Sequence, residues 1–364
     1  MKRVMITVFT LLILVATMTI PGSSVFASGG KDVDKAIQIT TNSQYDRDPS
    51  FFRADDGTYW LFFARGMDSI GIRDFEGYNP DLDYYNICYR TAKSIPGLQK
   101  ANDNFIPLPL EPLDNAQRDI AALQSSDGTI WVFTSTGLGP GSQRSIYYYT
   151  YDGTWHGPTA VPGTDYAAHI DALENGGKIC VFFDVGYELK VTYYDEGTDG
   201  WSSSPITVAS PDATVAKAIV DKGKFYVVWT TAPGTGIYLS TSTDGMTWSS
   251  TTNPISSWPG ATNWDPVLMK DGNTFRLFWA PDVGSEGQFI ATSSSKKPGI
   301  TTSWSPSVKI TTSSCGASNW WDFWPQTFNK GATYLFYTSE SNSTGTDRID
   351  GNIWMMHITV PLTR

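Results

Sequence analysis

Apolar positions along this chain come in short, paired runs separated by turns. In DPSFFRADDGTYWLFFA (48–64) an apolar run leads into a turn at Asp56-Gly57 and then into a second, aromatic-rich run. Runs of this length, rich in Phe, Tyr, Trp and Val and bounded by Asp and Gly, predict a β-hairpin. The same order returns in DIAALQSSDGTIWVFTS (119–135), AHIDALENGGKICVFFD (168–184), TVAKAIVDKGKFYVVWT (214–230), DPVLMKDGNTFRLFWA (265–280) and DFWPQTFNKGATYLFYT (322–338). The stretches register on their turn glycines: Gly57, Gly128, Gly177, Gly223, Gly272 and Gly331. Their second runs carry Phe62, Phe133, Phe182, Val228, Phe278 and Phe336 at matching positions.

Between the hairpins lie further strand pairs, such as SIYYYTYDGTWHGPTAV and GIYLSTSTDGMTWSS, with turns that end in Trp155, Trp201 and Trp248. Self-similarity at roughly 40–50 residues, built from paired short strands, predicts a β-propeller with one blade per repeat. The expected fold is all-β: a six-bladed β-propeller of four-stranded antiparallel blades in one domain, residues 28–364. The sixth repeat has one strand after its hairpin, NIWMMHITV (352–360), before the chain ends. AIQITTNSQYDRDP (36–49) resembles VKITTSS (308–314), the outermost strand before that repeat. The last blade is therefore expected to be closed by the N-terminal strand, which removes exposed edges.

Residues 1–27 pair Lys2 and Arg3 with an apolar stretch and end Val25-Phe26-Ala27, the layout of a secretory signal peptide. No other long apolar segment follows, so the expected product is a secreted protein without a membrane span. The net charge of −10 argues against nucleic acid as a partner, since that binding neutralises phosphates with cations. Three cysteines, Cys88, Cys180 and Cys315, are too few for a disulfide framework, though one pair could form. A monomer is expected.

In a propeller the first strand of each blade lines the central channel. Asp48, Asp119, Asp265 and Asp322 then stand at one level in blades one, two, five and six. In blades three and four this register falls on Ala168 and Thr214, with His169, Asp171 and Lys217 just inside. A ring of carboxylates is costly unless solvated, metal-bound or used in chemistry. Each could also cap its strand as an Asx-turn. Arg47, Arg118, Trp264, Trp321 and Trp324 stand beside them; indoles stack on sugar rings and Arg and Asp bind hydroxyls, so an oligo- or polysaccharide is the expected ligand. The same tryptophans serve equally as packing between blades.

Glycoside cleavage needs a carboxylic acid and a carboxylate base or nucleophile. Asp48 is assigned the base or nucleophile role, with Asp119 or Asp322 as its orienting partner. Asp171 is the first choice of acid and Asp265 the next, with His169 positioning one of them. No cofactor is assigned beyond a candidate structural Ca2+. Asn79, Asp81 and Asp83 have the alternating spacing of a calcium loop but lack its glycine, so a solvated acidic lid over 65–86 is preferred to a structural Ca2+ site.

Over the whole mature length, the blade count and STDGMTW (242–248) resemble the sialidase-like six-bladed propellers and their Asp-box, a structural turn between third and fourth strands. DPSFF (48–52) and YWLFFA (59–64) are similar to the first blade of five-bladed arabinanase- and xylosidase-type glycosidases. That resemblance implies Asp48 as catalytic base and Asp119 as the residue tuning pKa. The family's acid is a glutamate opening the third blade, where this chain has His169-Ile170-Asp171. The Arg-Ile-Pro that begins the sialidase arginine triad is absent, so sialidase specificity is not implied. The expectation is a secreted glycoside hydrolase; the alternative is a non-catalytic, lectin-like or cell-surface propeller.

Overall fold

The computed structural model describes residues 36–41, 46–66, 85–107, 117–137, 144–284, 288–310, 319–328, 332–340 and 351–358, with 319–328 described by backbone alone. These residues form six antiparallel sheets, five of four strands and one of five. The innermost strands are Asp46–Arg53, Arg118–Gln124, Ala168–Glu174, Ala213–Asp221, Thr262–Asp271 and Asn319–Phe328. Each touches its two neighbours, and the last touches the first, so the blades form a closed ring. Ile37–Gln38 pairs antiparallel with Gly351–Ile358, Ile37 opposite Met355, and is the outermost strand of the sixth sheet.

Period-2 alternation turns the apolar side chains of each blade toward its neighbours, and six buried clusters fill the six interfaces. The repeated phenylalanines sit at their centres. Trp155 meets Phe62 of the preceding blade edge-on, Trp201 meets Phe133 and Trp248 meets Phe182, with ring centroids 6.2, 6.3 and 5.9 Å apart. Edge-to-face contact is the preferred geometry for such pairs. The tryptophans that end the outer turns therefore pack blade against blade.

The 242–248 turn joins the third and fourth strands of blade four. Asp244 Oδ1 accepts the backbone N–H groups of Met246 and Thr247, both at 2.8 Å, and the Ser242 hydroxyl at 2.9 Å. These bonds hold its carboxyl at about 2, and the group ties the turn rather than facing the channel.

Ring closure is reinforced by buried charge. Asp46, fully inaccessible, receives Arg65 in a bidentate pair at 2.7 and 2.9 Å. Arg65 also reaches Asp103 at 2.6 Å, and Asp103 pairs in turn with Arg90. Arg90 donates to the carbonyls of Ile39 at 2.6 Å and Leu98 at 3.2 Å, tying the N-terminal segment to blade one. Cys88 and Cys180 are buried free thiols, and burial pushes both up to about 12; Cys315 lies outside the described residues.

No helix among the described residues is long and apolar enough to cross a membrane.

Candidate functional site

Every innermost strand carries a β-bulge near its start, between Arg47/Ser50, Arg118/Ala121, Ala168/Asp171, Thr214/Lys217, Trp264/Val267 and Trp321/Trp324. The first bulge residue is left-handed in five blades: Asp48 (φ 54°), Asp119 (51°), His169 (48°), Val215 (46°) and Asp265 (48°). Bulges re-aim side chains at barrel rims and active sites. Val215 brings no polar group yet adopts the same conformation, so the bend belongs to the architecture. Aspartate and histidine are among the residues that tolerate it best.

This register corrects the expectation for blades three and four, where His169 and Val215, not Ala168 and Thr214, stand level with the aspartates. The cause is turn length. Arg53 pairs Tyr59 and Gln124 pairs Ile130 across the first two turns, whereas Glu174 pairs Ile179 and Asp221 pairs Lys224 across tighter ones. Aligning on the turn glycine therefore slips the frame by one residue.

The bulges of blades one to five converge on a pocket of about 460 Å³, counting its open mouth, lined by Asp48, Asp119, His169, Val215, Lys217 and Asp265 with the residues beside them. Its polar groups are linked from blade to blade. Asp48 Oδ2 accepts the N–H of Asp119 at 2.9 Å, while Oδ1 accepts Arg47 Nε at 3.1 Å. Asp119 Oδ2 accepts the N–H of His169 at 3.2 Å and the Ser135 hydroxyl at 2.7 Å. His169 Nδ1 lies 2.9 Å from Asp184 Oδ1, and Thr214 Oγ1 donates to Asp184 Oδ2 at 3.0 Å. Asp184 is nearly inaccessible, but His169 leaves 43% of its side-chain surface open. The carboxylate fixes the ring, and the ring is what a ligand can reach.

Charge is distributed unequally in this pocket. Burial opposes ionisation of Asp119, yet the charges of His169 and Arg144, the Ser135 hydroxyl and Arg47 outweigh it and hold the carboxyl well below the usual range. Enclosure likewise disfavours the His169 cation, but Asp184, Asp119 and Asp265 raise it to about 9. Asp265 goes the other way. Burial, aided by the charge of Asp48, pushes it up to about 6 against the pull of His169, Arg47 and Lys217. Its Oδ2 is buried and accepts no hydrogen bond among the described residues.

Asp171 lies one layer deeper, level with Ser50 and Lys217, and is not among the lining residues. Its Oδ2 accepts the N–H of Ala218 at 2.7 Å, and Lys217 Nζ stands 3.6 Å from Oδ1. Burial raises its carboxyl despite these partners. Arg47 and Arg118 both lie over the Tyr85 ring, at 6.0 and 5.4 Å from its centroid. Trp264, half-buried, precedes Asp265 outside the pocket lining. The backbone of 319–328 repeats the bulge at Asp322; the side chains of Trp321, Asp322 and Trp324 lie outside the described residues, as do Asn79, Asp81 and Asp83. No cluster of three metal-ligating side chains occurs among the described residues.

Sequence reasoning missed Tyr85, Ser135, Arg144 and Asp184, and named Thr214 only as a register position. A signal existed for two of them: Ser135 and Asp184 stand two residues beyond Phe133 and Phe182, on the same side of their strands.

No family model matches this sequence, and no curated protein does. Among solved structures the chain is similar to a protein of unknown function from Dyadobacter fermentans, at 14% identity over 90% of this chain and 99% of that one, with a TM-score of 0.66. It is also similar to the Trypanosoma rangeli sialidase in complex with 2,3-difluorosialic acid, at 8% identity over 89% of this chain and 59% of that one, TM-score 0.61. The NanB sialidase of Streptococcus pneumoniae aligns at 10% identity over 90% and 70%, TM-score 0.60. The chain thus has the six-bladed propeller fold of the sialidases, and it spans 59% of the length of the Trypanosoma enzyme.

Proposed function

We propose that this chain is a carbohydrate-active propeller, a glycoside hydrolase working at the channel pocket. One observation carries the reading: carboxyls that share the pocket are driven apart, Asp119 toward the ionised form and Asp265 toward the protonated one. Glycoside cleavage uses one carboxyl of each kind, and opposed environments are how one site provides both. Asp265 takes the acid role in place of Asp171, which serves to position Lys217. Asp48, whose charge helps to raise Asp265, is the base or nucleophile. Asp119 and His169 orient substrate hydroxyls, and Arg47 and Arg118 supply further donors, carried on Tyr85. Trp264, half-buried beside Asp265, is the candidate for stacking on a sugar ring. The fold shared with sialidases supports a sugar ligand; sialic acid is not assigned, since the sequence has no Arg-Ile-Pro. The apolar leader at 1–27 fits a secreted enzyme that meets polysaccharide outside the cell.

The test is Asp48→Asn on a panel of aryl glycosides. Asparagine keeps an oxygen for the Asp119 N–H, so the fold is retained, while turnover falls roughly 10²–10⁴-fold. Activity of the parent declines as pH rises through about 6, where Asp265 loses its proton. Parental turnover in Asp48→Asn would leave the non-catalytic, sugar-binding reading. That second reading is favoured by one fact: Asp48 and Asp119 each use an oxygen to cap the next blade. Retention on a glycan array without turnover would establish it.

A further inference from the structure

A second recess opens on the opposite face, where the inner hairpin turns of blades four and five meet the connection between the third and fourth strands of blade five. It encloses about 910 Å³ including open solvent and is lined chiefly by Lys224, Tyr226, Lys270, Phe275, Lys296 and Lys297. Its one carboxylate, Asp221, lies 2.5 Å from Lys270 Nζ. Among the described residues no carboxylate pairs with Lys224, Lys296 or Lys297, and the last two are exposed. In a chain of net charge −10 this gathers positive charge against the average.

Two of the lysines are also held in place. Tyr226 and Phe275 have centroids 4.8 Å apart; Lys224 lies 5.3 Å from the first ring and Lys270 5.6 Å from the second. Ammonium groups seated on aromatic rings lose little freedom on meeting an anion. Exposed Ile300 adds an apolar edge.

We infer that this recess binds an acidic polysaccharide through its carboxylate or sulfate groups, away from the channel. Lysine is a hydrated point charge suited to anions spaced along a polymer, and no arginine fork shaped for phosphate lines the recess. Nucleic acid fits less well. The rings already carry lysines instead of offering bare faces to bases, and a few cations on an acidic protein leave weak phosphate binding.

Affinity electrophoresis with polygalacturonate and dextran sulfate, against neutral dextran, tests the site independently of the channel. The parent is expected to be retarded by both acidic polymers and not by dextran, less so as salt rises from about 50 to 200 mM. Lys224→Gln/Lys296→Gln/Lys297→Gln weakens binding about tenfold or more, by loss of ion contacts. Single Lys296→Gln and Lys297→Gln variants give graded losses with unchanged unfolding midpoints, and Asp48→Asn binds like the parent. The inference is overturned by parental binding in the triple variant, by equal retardation in dextran, by lack of retardation in either acidic polymer, or by loss of binding in Asp48→Asn, which would place the polymer in the channel. Retention of a DNA oligonucleotide alone overturns it as well.

Discussion

Replacing Asp265 with asparagine is expected to stabilise the protein at neutral pH while removing most of its turnover. Asp265 is raised to about 6 by burial first and by Asp48 next, and one of its oxygens is buried without a donor among the described residues. A carboxyl whose folded pKa lies above its unfolded value penalises folding once the pH exceeds the unfolded one. The penalty is absent below the ordinary value of 3.8, grows through the interval, and is complete above about 6. Asparagine cannot ionise, so the gain above that point is roughly 2 kcal/mol, from about 1.4 kcal/mol per pKa unit with some loss to solvent screening. Thermal unfolding across this range should show the variant and parent converging in acid and separating by a few degrees at neutrality. Turnover falls by roughly the 10²–10⁴-fold that a general acid contributes. Equal stability at all pH values would mean that Asp265 is comfortably solvated, and full activity would move the acid elsewhere.

Removing Arg65 should be the most damaging single change outside the pocket. Arg65→Ala leaves Asp46, at 0% exposure, without its bidentate guanidinium, and frees one oxygen of Asp103. Breaking a buried pair from one side costs about 3–5 kcal/mol, far more than the pair's net worth. Denaturant midpoints read the loss, and Asp46→Asn in the same background should recover part of it, as a double-mutant cycle requires. The exposed Lys93–Asp56 pair at 3.1 Å is the control, and Lys93→Ala should leave the midpoint where it was. Burial opposes ionisation of Asp103, but bonds from Arg90 and Arg65 lower its pKa. Its contribution is therefore present above the ordinary carboxylate range and is lost as pH falls below it. A midpoint unaffected by Arg65→Ala would show the network to be dispensable.

The fold was legible because each hairpin repeats one binary pattern and one turn chemistry, both local properties. Phe62, Phe133 and Phe182 marked the repeat in the sequence, and the structure buries each in a blade interface. The register of the channel was legible in blades one, two and five but slipped by one residue in blades three and four, where tighter turns put Ala168 and Thr214 in the place of His169 and Val215. The sequence placed Asp171 inside the rim, but that the pocket is lined by Asp265 and not by Asp171 emerged only from the folded ring. The supports of His169 come from two blades, Asp184 from its own and Thr214 from the next, so only the assembled ring brings them together.

The pairing of Ile37–Gln38 with Gly351–Ile358 joins the two ends of the described chain. A growing polypeptide offers the first of these segments long before its mate, since the rest of the ring lies between them in sequence. Until then blade six keeps a bare edge and blade one lacks a neighbour, so the early product is prone to pair with strangers. Cutting the chain before residue 351 would therefore leave Ile37–Gln38 without its partner as well as removing the last strand.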